Sequence, residues 1–488
     1  MKKCTVTVTD EVYCVFSGLA PQHLEFLVNK FALMVEGARF MPKFKLGVWD
    51  GKVKFFSPTG KIFHRLLDEV LPFLEQWGYD AELIDNRVPR ILPTQRIHAE
   101  WFLNRPGAAP NIILRDYQVA AVNTALESGG GILLMCTGAG KTFTVAALCD
   151  ALGQSNIRCM VIVPSVDLVE QTATTFKLCG LDVGMYGGNT KDVNHQHVIS
   201  TWQSLQNNPQ LLKGTSGKNS LTIENNDTNV DGKFDCIIVD ECHGAKAAVI
   251  GDLLNNAGID IPFKFGCTGT IPKSLIDQTT IKGTLGSVIY EIKAMTLMES
   301  GYLASVEIEP VELQETVLEE FPDYSSEKAF LTRSEERLDC LADLIISKAA
   351  QYGNTLVLVN SIKQGKALQA LISDSVFLYG ATENEVRAEW YSTFENTDNL
   401  IVFASYGIAS TGISINRIHC LIAIDSGKSY TRVIQSCGRS LRIGHDKTKA
   451  HVIDVYSNLK WSKKHARERA KYYKEAQYPM AKVKKLKV

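Results

Sequence analysis

Residues 131–142, GILLMCTGAGKT, join an apolar run to a glycine-rich turn that ends in lysine and threonine, and the helix-like stretch VAALCDAL follows. A turn from strand to helix directs backbone N–H groups toward a bound phosphate, and the helix N-terminus adds partial positive charge. Lys141 would then neutralise the β- and γ-phosphates, and the Thr142 hydroxyl would bind Mg²⁺. Met135 stands where the general motif has its first glycine, so a chance glycine-rich turn is the alternative.

A second apolar run, FDCIIVDECH at residues 234–243, ends in two adjacent acids. Asp240, at the carboxyl end of this predicted strand, is in the right place to bind Mg²⁺. Glu241 can polarise the water that attacks the γ-phosphate, and we expect His243 to belong to the same catalytic group. Two solvated acids at a strand end are the alternative, which the preceding phosphate loop disfavours.

A third motif, QSCGRSLR at residues 435–442, places Gln435, Arg439 and Arg442 near one helical face. Gly438 permits close approach. Arginines brought from a second domain to a nucleotide on the first act as arginine fingers, an effect worth roughly 10³–10⁵ in rate. A basic helix surface is the alternative.

Short runs that are apolar throughout alternate with helical or loop-like stretches from Asn111 onward. They are GILLMC, CMVIVP, HVIST, FDCIIVD and FKFGCTG, and later NTLVLVN, SVFLYG, LIVFAS, HCLIAID and KAHVIDV. Such runs are typical of parallel strands buried on both faces, so the pattern predicts doubly wound α/β sheets. The pattern pauses near Leu303 and then resumes, which predicts two domains at residues 111–303 and 304–456. Residues 207–233 are polar and predict a surface insertion in the first of them.

The flanking segments differ in composition from these two domains. Residues 1–90 predict a small α/β domain, in which Asp50-Gly51 between apolar runs indicates a hairpin anchored by Trp49. Four prolines between Arg87 and Pro110 make residues 91–110 a predicted linker with a little structure. Residues 457–488 form a basic tail. Lys460–Val488 carries eleven lysines or arginines against two glutamates, although the whole chain has a net charge of −1.

A basic cluster in the first 90 residues is interleaved with aromatic side chains. Such a mixture suits phosphate contact and base stacking. A solvated domain face, together with a frayed cationic tail at the other end of the chain, is the alternative. The basic members are Arg39, Lys43, Lys45, Lys52 and Lys54, and the aromatic ones are Phe40, Phe44, Trp49, Phe55 and Phe56.

Length and composition exclude several classes of protein. The 488 residues are 45% hydrophobic and 22% charged, which are ordinary globular values. Twelve cysteines, none spaced as Cys-x-x-Cys, predict reduced and mostly buried thiols rather than a disulfide scaffold or the usual zinc-finger arrangements. Neither a signal peptide nor a membrane span is predicted. We therefore expect a cytoplasmic protein that makes no contact with a membrane.

The three motifs, in this order, resemble the motor of helicase superfamily 2 from Arg115 to Asp454. That resemblance implies two RecA-like domains that clamp ATP, with Mg²⁺ as cofactor. Further motifs follow in order. The Q-motif, which reads adenine, resembles Arg115-Asp116-Tyr117-Gln118. Motifs Ia and Ib resemble Val163-Pro164-Ser165 and Ser200-Thr201-Trp202-Gln203, and the place of motif III is occupied by Thr268-Gly269-Thr270. Motifs IVa and V resemble Tyr379–Thr382 and Ser405–Ser414. Motif V often has an acid after its glycine, whereas Gly412 precedes Ile413 here, so the contact of that acid is in doubt.

The resemblance implies roles for individual residues. The nucleotide would be bound by Arg115, Gln118, Thr137, Gly138, Ala139, Gly140, Lys141, Thr142 and Gly412. The phosphates of a nucleic-acid strand would be bound by Pro164, Ser165, Thr201, Trp202, Gly380, Thr382, Ser405 and Thr411. Lys43, Lys45, Lys52 and Lys54 are the DNA-contact candidates outside the motor.

Within the superfamily the chain is similar to the phage UvsW-type helicases. Residues 40–51, with Phe40, Pro42, Phe44 and Gly47 before Trp49-Asp50-Gly51, resemble the signature of their N-terminal domain, and residues 404–414 are also similar. The resemblance implies an ATP-dependent DNA helicase or translocase that acts on branched DNA in branch migration, fork regression, recombination, repair and replication. We expect a monomer, because a two-domain motor has its arginines in cis and needs no second subunit. A T5-like phage is the narrower expectation. An RNA helicase and an ATP-switched binding or remodelling protein without processive unwinding stay open as alternatives.

Overall fold

The computed structural model describes residues 2–89, 91–188, 190–213, 234–243, 247–272, 274–317, 320–411, 417–427, 449–475 and 477–488. It divides into two compact units, one of Met1–Met135 with Gly140–Glu291 and one of Cys136–Ala139 with Ile292–Val488. Each unit contains a large sheet that is mainly parallel, so the predicted fold class is confirmed. Among the described residues, no helix is long and apolar enough to cross a membrane.

The first unit begins with a small α/β domain. Its elements are β1 (Lys2–Val8), β2 (Tyr13–Ser17), α1 (Pro21–Lys30), β3 (Ala32–Met34), α2 (Pro42–Lys45), β4 (Lys52–Lys54), β5 (Lys61–Phe63), α3 (Leu67–Gln76) and β6 (Tyr79–Asp85). Four strands form a sheet in the order β5-β2-β1-β6. The alternating sequence of β1 buries Cys4, Val6 and Val8 against Phe56 and Leu66.

The expected hairpin around Asp50-Gly51 is wrong. Pro42 starts the short helix α2. Residues 46–49, where the preceding strand was expected, form the turn and loop that follow it, and β4 pairs with the more distant β3 instead. Gly51 adopts a left-handed φ of 77° and its carbonyl accepts a hydrogen bond from the Val35 N–H at 2.8 Å. Proline fixes a φ suited to the first turn of a helix, which is why the local sequence departs from the hairpin pattern.

The rest of the first unit is built on an eight-stranded sheet of order β10-β9-β11-β8-β12-β13-β7-β14. All five apolar runs predicted in this region are strands of that sheet. The elements are α4 (Asp116–Ser128), β7 (Gly130–Met135), α5 (Lys141–Gly153), β8 (Cys159–Val163), α6 (Val166–Leu178), β9 (Val183–Gly187), β10 (Thr190–Lys191), β11 (His197–Thr201), α7 (Trp202–Asn207), α8 (Gln210–Lys213), β12 (Cys236–Asp240), α9 (Ala247–Asn256), β13 (Phe263–Thr268), α10 (Leu275–Leu285) and β14 (Val288–Ile292).

Three sets of contacts fix the small domain and the segment after it within this unit. Lys282 on α10 forms ion pairs with Asp68 at 2.9 Å and Glu69 at 2.6 Å on α3. A Cβ at Gly283 would lie 2.7 Å from the Phe63 ring, so glycine allows α10 to approach that ring closely. Residues 91–110, predicted as a linker, are also packed here: the Trp101 indole donates to Asp150 on α5 at 2.7 Å.

The second unit contains a seven-stranded sheet of order β17-β18-β16-β19-β20-β15-β21. Its five predicted strands are present, and β15 and β21 are additional. The elements are α11 (Ala294–Glu299), β15 (Ser305–Gln314), α12 (Tyr324–Arg333), α13 (Glu335–Tyr352), β16 (Thr355–Val359), α14 (Ile362–Leu371), β17 (Ser375–Leu378), α15 (Asn384–Asn396), β18 (Ile401–Ser405), α16 (Tyr406–Thr411), β19 (Cys420–Ile424), β20 (Lys449–Ser457), α17 (Lys460–Glu475) and β21 (Lys484–Lys487).

The described residues of the basic segment, 457–475 and 477–488, include the helix α17 and the strand β21, so the frayed cationic tail considered above is wrong. Arg469 on α17 is buried and binds the Asp454 carboxylate with both Nε and Nη2, at 3.0 and 2.8 Å. Such paired bonds fit the planar guanidinium to the carboxylate. β21 pairs in parallel with β15 and completes one edge of the sheet. A high density of lysine and arginine therefore coexists here with regular structure.

We predict that Arg469→Leu lowers the free energy of unfolding by about 3–5 kcal/mol, because it leaves the buried Asp454 carboxylate without its partner. The measurement is urea denaturation followed by circular dichroism. Arg467→Leu, an exposed arginine on the same helix, is the matched control and should change the stability by less than about 0.5 kcal/mol. Equal losses in the two variants would contradict a structural role for the Arg469–Asp454 pair.

Candidate nucleotide-binding site

The glycine-rich turn follows β7 directly. Gly138 and Gly140 adopt left-handed φ angles of 86° and 74°, and α5 begins at Lys141 with Gly140 as its N-cap. A Cβ at Gly140 would lie 2.4 Å from the Gln118 amide nitrogen. Both the backbone conformation and the nearby amide thus require glycine at this position. The N-terminus of a thirteen-residue helix is thereby left with the geometry that suits a phosphate.

Gln118 links this turn to α4. Its Nε2 donates to the Gly140 carbonyl at 3.2 Å, and its Oε1 accepts a hydrogen bond from the Arg115 N–H at 2.8 Å. The Arg115 guanidinium in turn donates to the Tyr117 hydroxyl at 2.8 Å. Gln118, which was predicted to read adenine, therefore also positions Gly140, the residue before α5. Its contact with adenine stays a prediction.

Four side chains from three separate segments meet at the carboxyl edge of the sheet. Lys141 Nζ lies 3.4 Å from Glu241 Oε1, and His243 Nδ1 lies 3.2 Å from Glu241 Oε2. His243 Nδ1 is also 2.6 Å from the Thr268 hydroxyl, at the end of β13. Because β13 lies between β12 and β7, the cluster spans the ends of three adjacent strands.

The backbone at Glu241 is in an unusual conformation. Its φ is 51°, in the left-handed region that residues with side chains rarely adopt. Its N–H donates to Asp240 Oδ1 at 3.0 Å, immediately after β12 ends. This turn directs Glu241 toward Lys141. Backbone strain of this kind costs about 1–3 kcal/mol and persists where the surroundings fix it.

The charges at this edge influence one another strongly. Burial raises the pKa of Asp240, and the adjacent negative charge of Glu241 raises it further. Burial acts in the same direction on Glu241, but the charge of Lys141 and the neighbouring His243 imidazole outweigh it and lower its pKa. The two carboxylates raise the pKa of Lys141 against the effect of its own burial. Lys141 and Glu241 are therefore both charged in this arrangement.

A magnesium ion fits the residues that were predicted to hold it. The Thr142 hydroxyl and the Asp240 carboxylate are hard oxygen donors, which Mg²⁺ prefers. The ion would supply charge neutralisation at the phosphates. Sequence reasoning did not assign Thr268 to this site. The available signal was its position as the last residue of β13, since adjacent parallel strands end at one edge.

The predicted strand-contact residues of the first unit have mixed surroundings. Pro164 is exposed, whereas the Ser165 hydroxyl is buried and has no hydrogen-bond partner among the described residues. Thr201 is buried and caps α7 by accepting a hydrogen bond from the Ser204 N–H at 3.2 Å. Trp202 is half-buried beside the core. The Thr201 hydroxyl therefore has a structural partner already.

In the second unit, Gly380 is exposed, and the Thr382 hydroxyl accepts a hydrogen bond from the Tyr379 N–H at 3.1 Å. Ser405 ends β18 and is half-buried, and Thr411 is the last residue of α16. Four further predicted site residues lie outside the described residues: Gly412, Gln435, Arg439 and Arg442. Residues 214–233 of the predicted insertion also lie outside them.

The basic cluster of the small domain lies largely on its surface. Lys43, Lys45 and Lys54 are exposed and Lys52 is half-buried. Lys54 pairs with Asp50 at 3.2 Å. The aromatic members divide into a buried pair, Phe55 and Phe56, a half-buried pair, Phe44 and Trp49, and Phe40, which is 81% exposed.

Three family models match separate parts of the chain. "DNA helicase UvsW, N-terminal" matches residues 22–85, "Type III restriction enzyme, res subunit" matches residues 111–273, and "Helicase conserved C-terminal domain" matches residues 336–444. Together they include the small domain, the phosphate loop with its acidic strand end, and most of the second α/β domain.

Relatives and solved structures agree with these matches. The chain is 25% identical to the ATP-dependent DNA helicase uvsW of Enterobacteria phage T4, over 91% of this chain and 88% of the relative. The type ISP restriction-modification enzyme LlaBIII bound to DNA shares the fold, with a TM-score of 0.57 and 15% identity over 86% of this chain and 34% of the other. So does Dbp5 of S. cerevisiae bound to RNA and ADP BeF3, with a TM-score of 0.53 and 12% identity over 77% and 90%.

We predict that Gln118→Glu weakens nucleotide binding about tenfold, because a carboxylate facing the Gly140 carbonyl costs about 1–3 kcal/mol and displaces the start of α5. Titration with a fluorescent ATP analogue measures the effect. Asn123→Asp is the matched control: Asn123 lies on the same helix and likewise pairs with backbone N–H and C=O groups, here those of Ile97. A similar loss of affinity in both variants would contradict the assignment.

Proposed function

The chain belongs to the superfamily 2 helicases of the phage UvsW type, and from this premise we propose that it is an ATP-dependent DNA helicase or translocase acting on branched DNA. The branch preference, the monomeric state and the roles of individual residues are parts of the same proposal. The observation that carries it is the cluster of Lys141, Glu241, His243 and Thr268 at the strand ends beside the phosphate loop.

Exchange of partners at Lys141 would couple nucleotide binding to catalysis. A triphosphate brings several negative charges to the N-terminus of α5 and competes with Glu241 for the Lys141 ammonium. Loss of that ion pair removes the interaction that lowers the pKa of Glu241, so its carboxylate becomes a better proton acceptor. Glu241 would then accept the proton of the attacking water, with His243 and Thr268 fixing its orientation.

The second domain would complete the reaction and the grip on DNA. Arg439 and Arg442 would stabilise the charge that develops on the transferred phosphoryl group, with Gln435 on the same helical face. Pro164, Ser165, Thr201, Trp202, Gly380, Thr382, Ser405 and Thr411 would contact the strand through its phosphates, so little sequence preference is expected. Each ATP cycle would then move the protein along one strand.

The surface of the small domain supports contact with branched DNA. Lys43 and Lys45 are exposed on α2, and Phe40, Leu46 and Val48 around them are 81%, 76% and 77% exposed. Lysines neutralise phosphates, and exposed apolar side chains can pack on bases that a junction leaves unstacked. This surface lies outside the motor and would hold duplex arms beside it.

Two alternatives are separable by experiment. An RNA helicase is an alternative because the fold is shared with structures bound to DNA and to RNA; the match to the UvsW N-terminal model favours DNA. An ATP-switched binding protein without processive unwinding is the other. ATPase stimulation by a four-way junction, plain duplex and RNA, together with unwinding of the junction and a 3′-tailed duplex, distinguishes them. RNA-only stimulation, or stimulation without unwinding, would overturn the proposal.

The proposed setting follows from the substrate. Branched DNA arises in recombination, repair and replication, and a phage helicase would meet it in the host cytoplasm. Both the setting and the T5-like source stay predictions.

We predict that Lys141→Ala abolishes DNA-stimulated ATPase activity, because it removes the charge that binds the phosphates. Glu241→Gln should retain ATP binding and lower turnover at least about a hundredfold, because only water activation is lost. Steady-state ATPase assays and an ATP-analogue titration measure both effects. Turnover near the wild-type rate in Glu241→Gln would rule out Glu241 as the catalytic base.

We predict that replacing Lys43, Lys45, Lys52 and Lys54 by alanine flattens the salt dependence of junction binding. Each lost phosphate contact changes the log–log slope by about 0.9, so the expected change is about 2–3.5, with Lys54 contributing least because it pairs with Asp50. Fluorescence anisotropy across a salt series measures the slope. Basal ATPase activity should be unchanged.

The control removes the same charge from four other exposed lysines, Lys177, Lys191, Lys363 and Lys474. It should change the slope little. If the two variants behave alike, the small domain has no specific role in holding DNA.

A further inference from the structure

Four buried side chains with metal-binding chemistry meet in the first unit, away from the strand ends that carry the candidate nucleotide site. They are Cys149 on α5, Cys159 at the start of β8, His197 at the start of β11 and Cys236 at the start of β12. Their exposed fractions are 0%, 0%, 2% and 0%. The group is therefore enclosed in protein.

Strand register brings three of these residues side by side. β8 lies between β11 and β12, and Cys159 is directly opposite His197 on one side and Cys236 on the other. Paired positions in neighbouring parallel strands place their side chains on the same face of the sheet. The helix α5 then supplies Cys149 from above that face.

The potential ligand atoms are close together. One ligand atom from each of Cys149, Cys159 and His197 lies within 4.8 Å of the other two. The Cys159 thiol is also within hydrogen-bonding reach of Cys236. Gly153, one turn after Cys149, makes room for the imidazole: a Cβ there would lie 3.1 Å from Cε1 and Nε2 of His197.

The imidazole is the unusual member of this group. Within the part of the chain that the structure describes, His197 Nδ1 is buried without a hydrogen-bond partner. Buried cysteines are common in protein cores, but a buried polar nitrogen left unpaired costs about 1–3 kcal/mol. A metal ion that accepts the electron pair of this nitrogen would remove that cost.

We propose that Cys149, Cys159, His197 and Cys236 form a structural zinc site. Three thiolates and one imidazole are a standard donor set for structural Zn²⁺, and each thiol would release its proton on ligation. Tetrahedral bonds of about 2.3 Å to sulfur and 2.0–2.1 Å to nitrogen put ligand atoms about 3.5–3.8 Å apart. The separations between the Cys149, Cys159 and His197 ligand atoms would have to shrink by about 1.3 Å at most to reach this geometry, and Cys236, the fourth ligand, would have to move toward them.

The position of the group suggests what such a metal does. Each of its four elements also carries a predicted functional residue: Lys141 on α5, Ser165 after β8, Thr201 on β11 and Asp240 on β12. A metal bound at this group would hold the four elements in register from within the fold. The proposal is independent of the proposed helicase activity, because a structural zinc requires no turnover.

The first experiment uses the full-length wild-type protein, expressed in zinc-supplemented and in cobalt-supplemented minimal medium and purified without chelator. Elemental analysis should find about one zinc per chain. The cobalt form should show the visible bands of tetrahedral Co²⁺ and a thiolate charge-transfer band in the near ultraviolet. Less than about 0.1 metal per chain in both preparations, or a disulfide between Cys149 and Cys159 found by peptide mapping, would overturn the proposal.

The second experiment compares Cys149→Ala and His197→Phe with Cys14→Ala, a fully buried thiol in the small domain. The first two should lose at least about tenfold in metal content, and the control should lose none. Circular dichroism shows whether each variant folds, and the wild-type spectra test the site even if one does not. Full metal retention in folded Cys149→Ala and His197→Phe would overturn the assignment.

Discussion

The ion pair between Lys141 and Glu241 is the interaction on which the candidate site depends. Lys141 is the first residue of α5, which follows β7, and Glu241 follows β12. The strand β13 lies between β7 and β12. Their opposite charges are partly buried together, so each lowers the cost of burying the other. The left-handed turn at Glu241 and the glycine before Lys141 both serve to bring these charges within reach. Repulsion between Asp240 and Glu241 is tolerated for the same reason, because Lys141 compensates both.

Much of this arrangement was predictable from the sequence. The apolar runs that end at Met135, Asp240 and Thr268 indicated parallel strands, and parallel strands end at a common edge. The Gln118–Gly140 contact was not predictable, because it depends on the three-dimensional approach of α4 to the phosphate loop. β15 was missed for a local reason: its sequence, SVEIEPVELQ, alternates with acids and contains Pro310, although it lies inside the sheet.

Cysteine spacing illustrates a related limit. Spacing along the chain predicts metal sites in which ligands come from adjacent turns, but strand register can assemble ligands that are far apart in sequence. Cys159, His197 and Cys236 are neighbours only because β11, β8 and β12 lie side by side. The order of strands in a doubly wound sheet cannot be predicted from one sequence. A group of potential metal ligands that depends on that order therefore cannot be predicted either.

The lysines of the edge strand β21 can have a role other than nucleic-acid contact, namely protection of the sheet edge. An unpaired edge is a template on which a second chain can add a strand, and lysine is a common guard against that event. β21 carries three lysines, while its Leu486 packs against the core that contains Val311 and Leu313 of β15. Loss of β21 would expose the apolar edge of β15, and self-association would follow at concentrations where the intact protein stays dispersed.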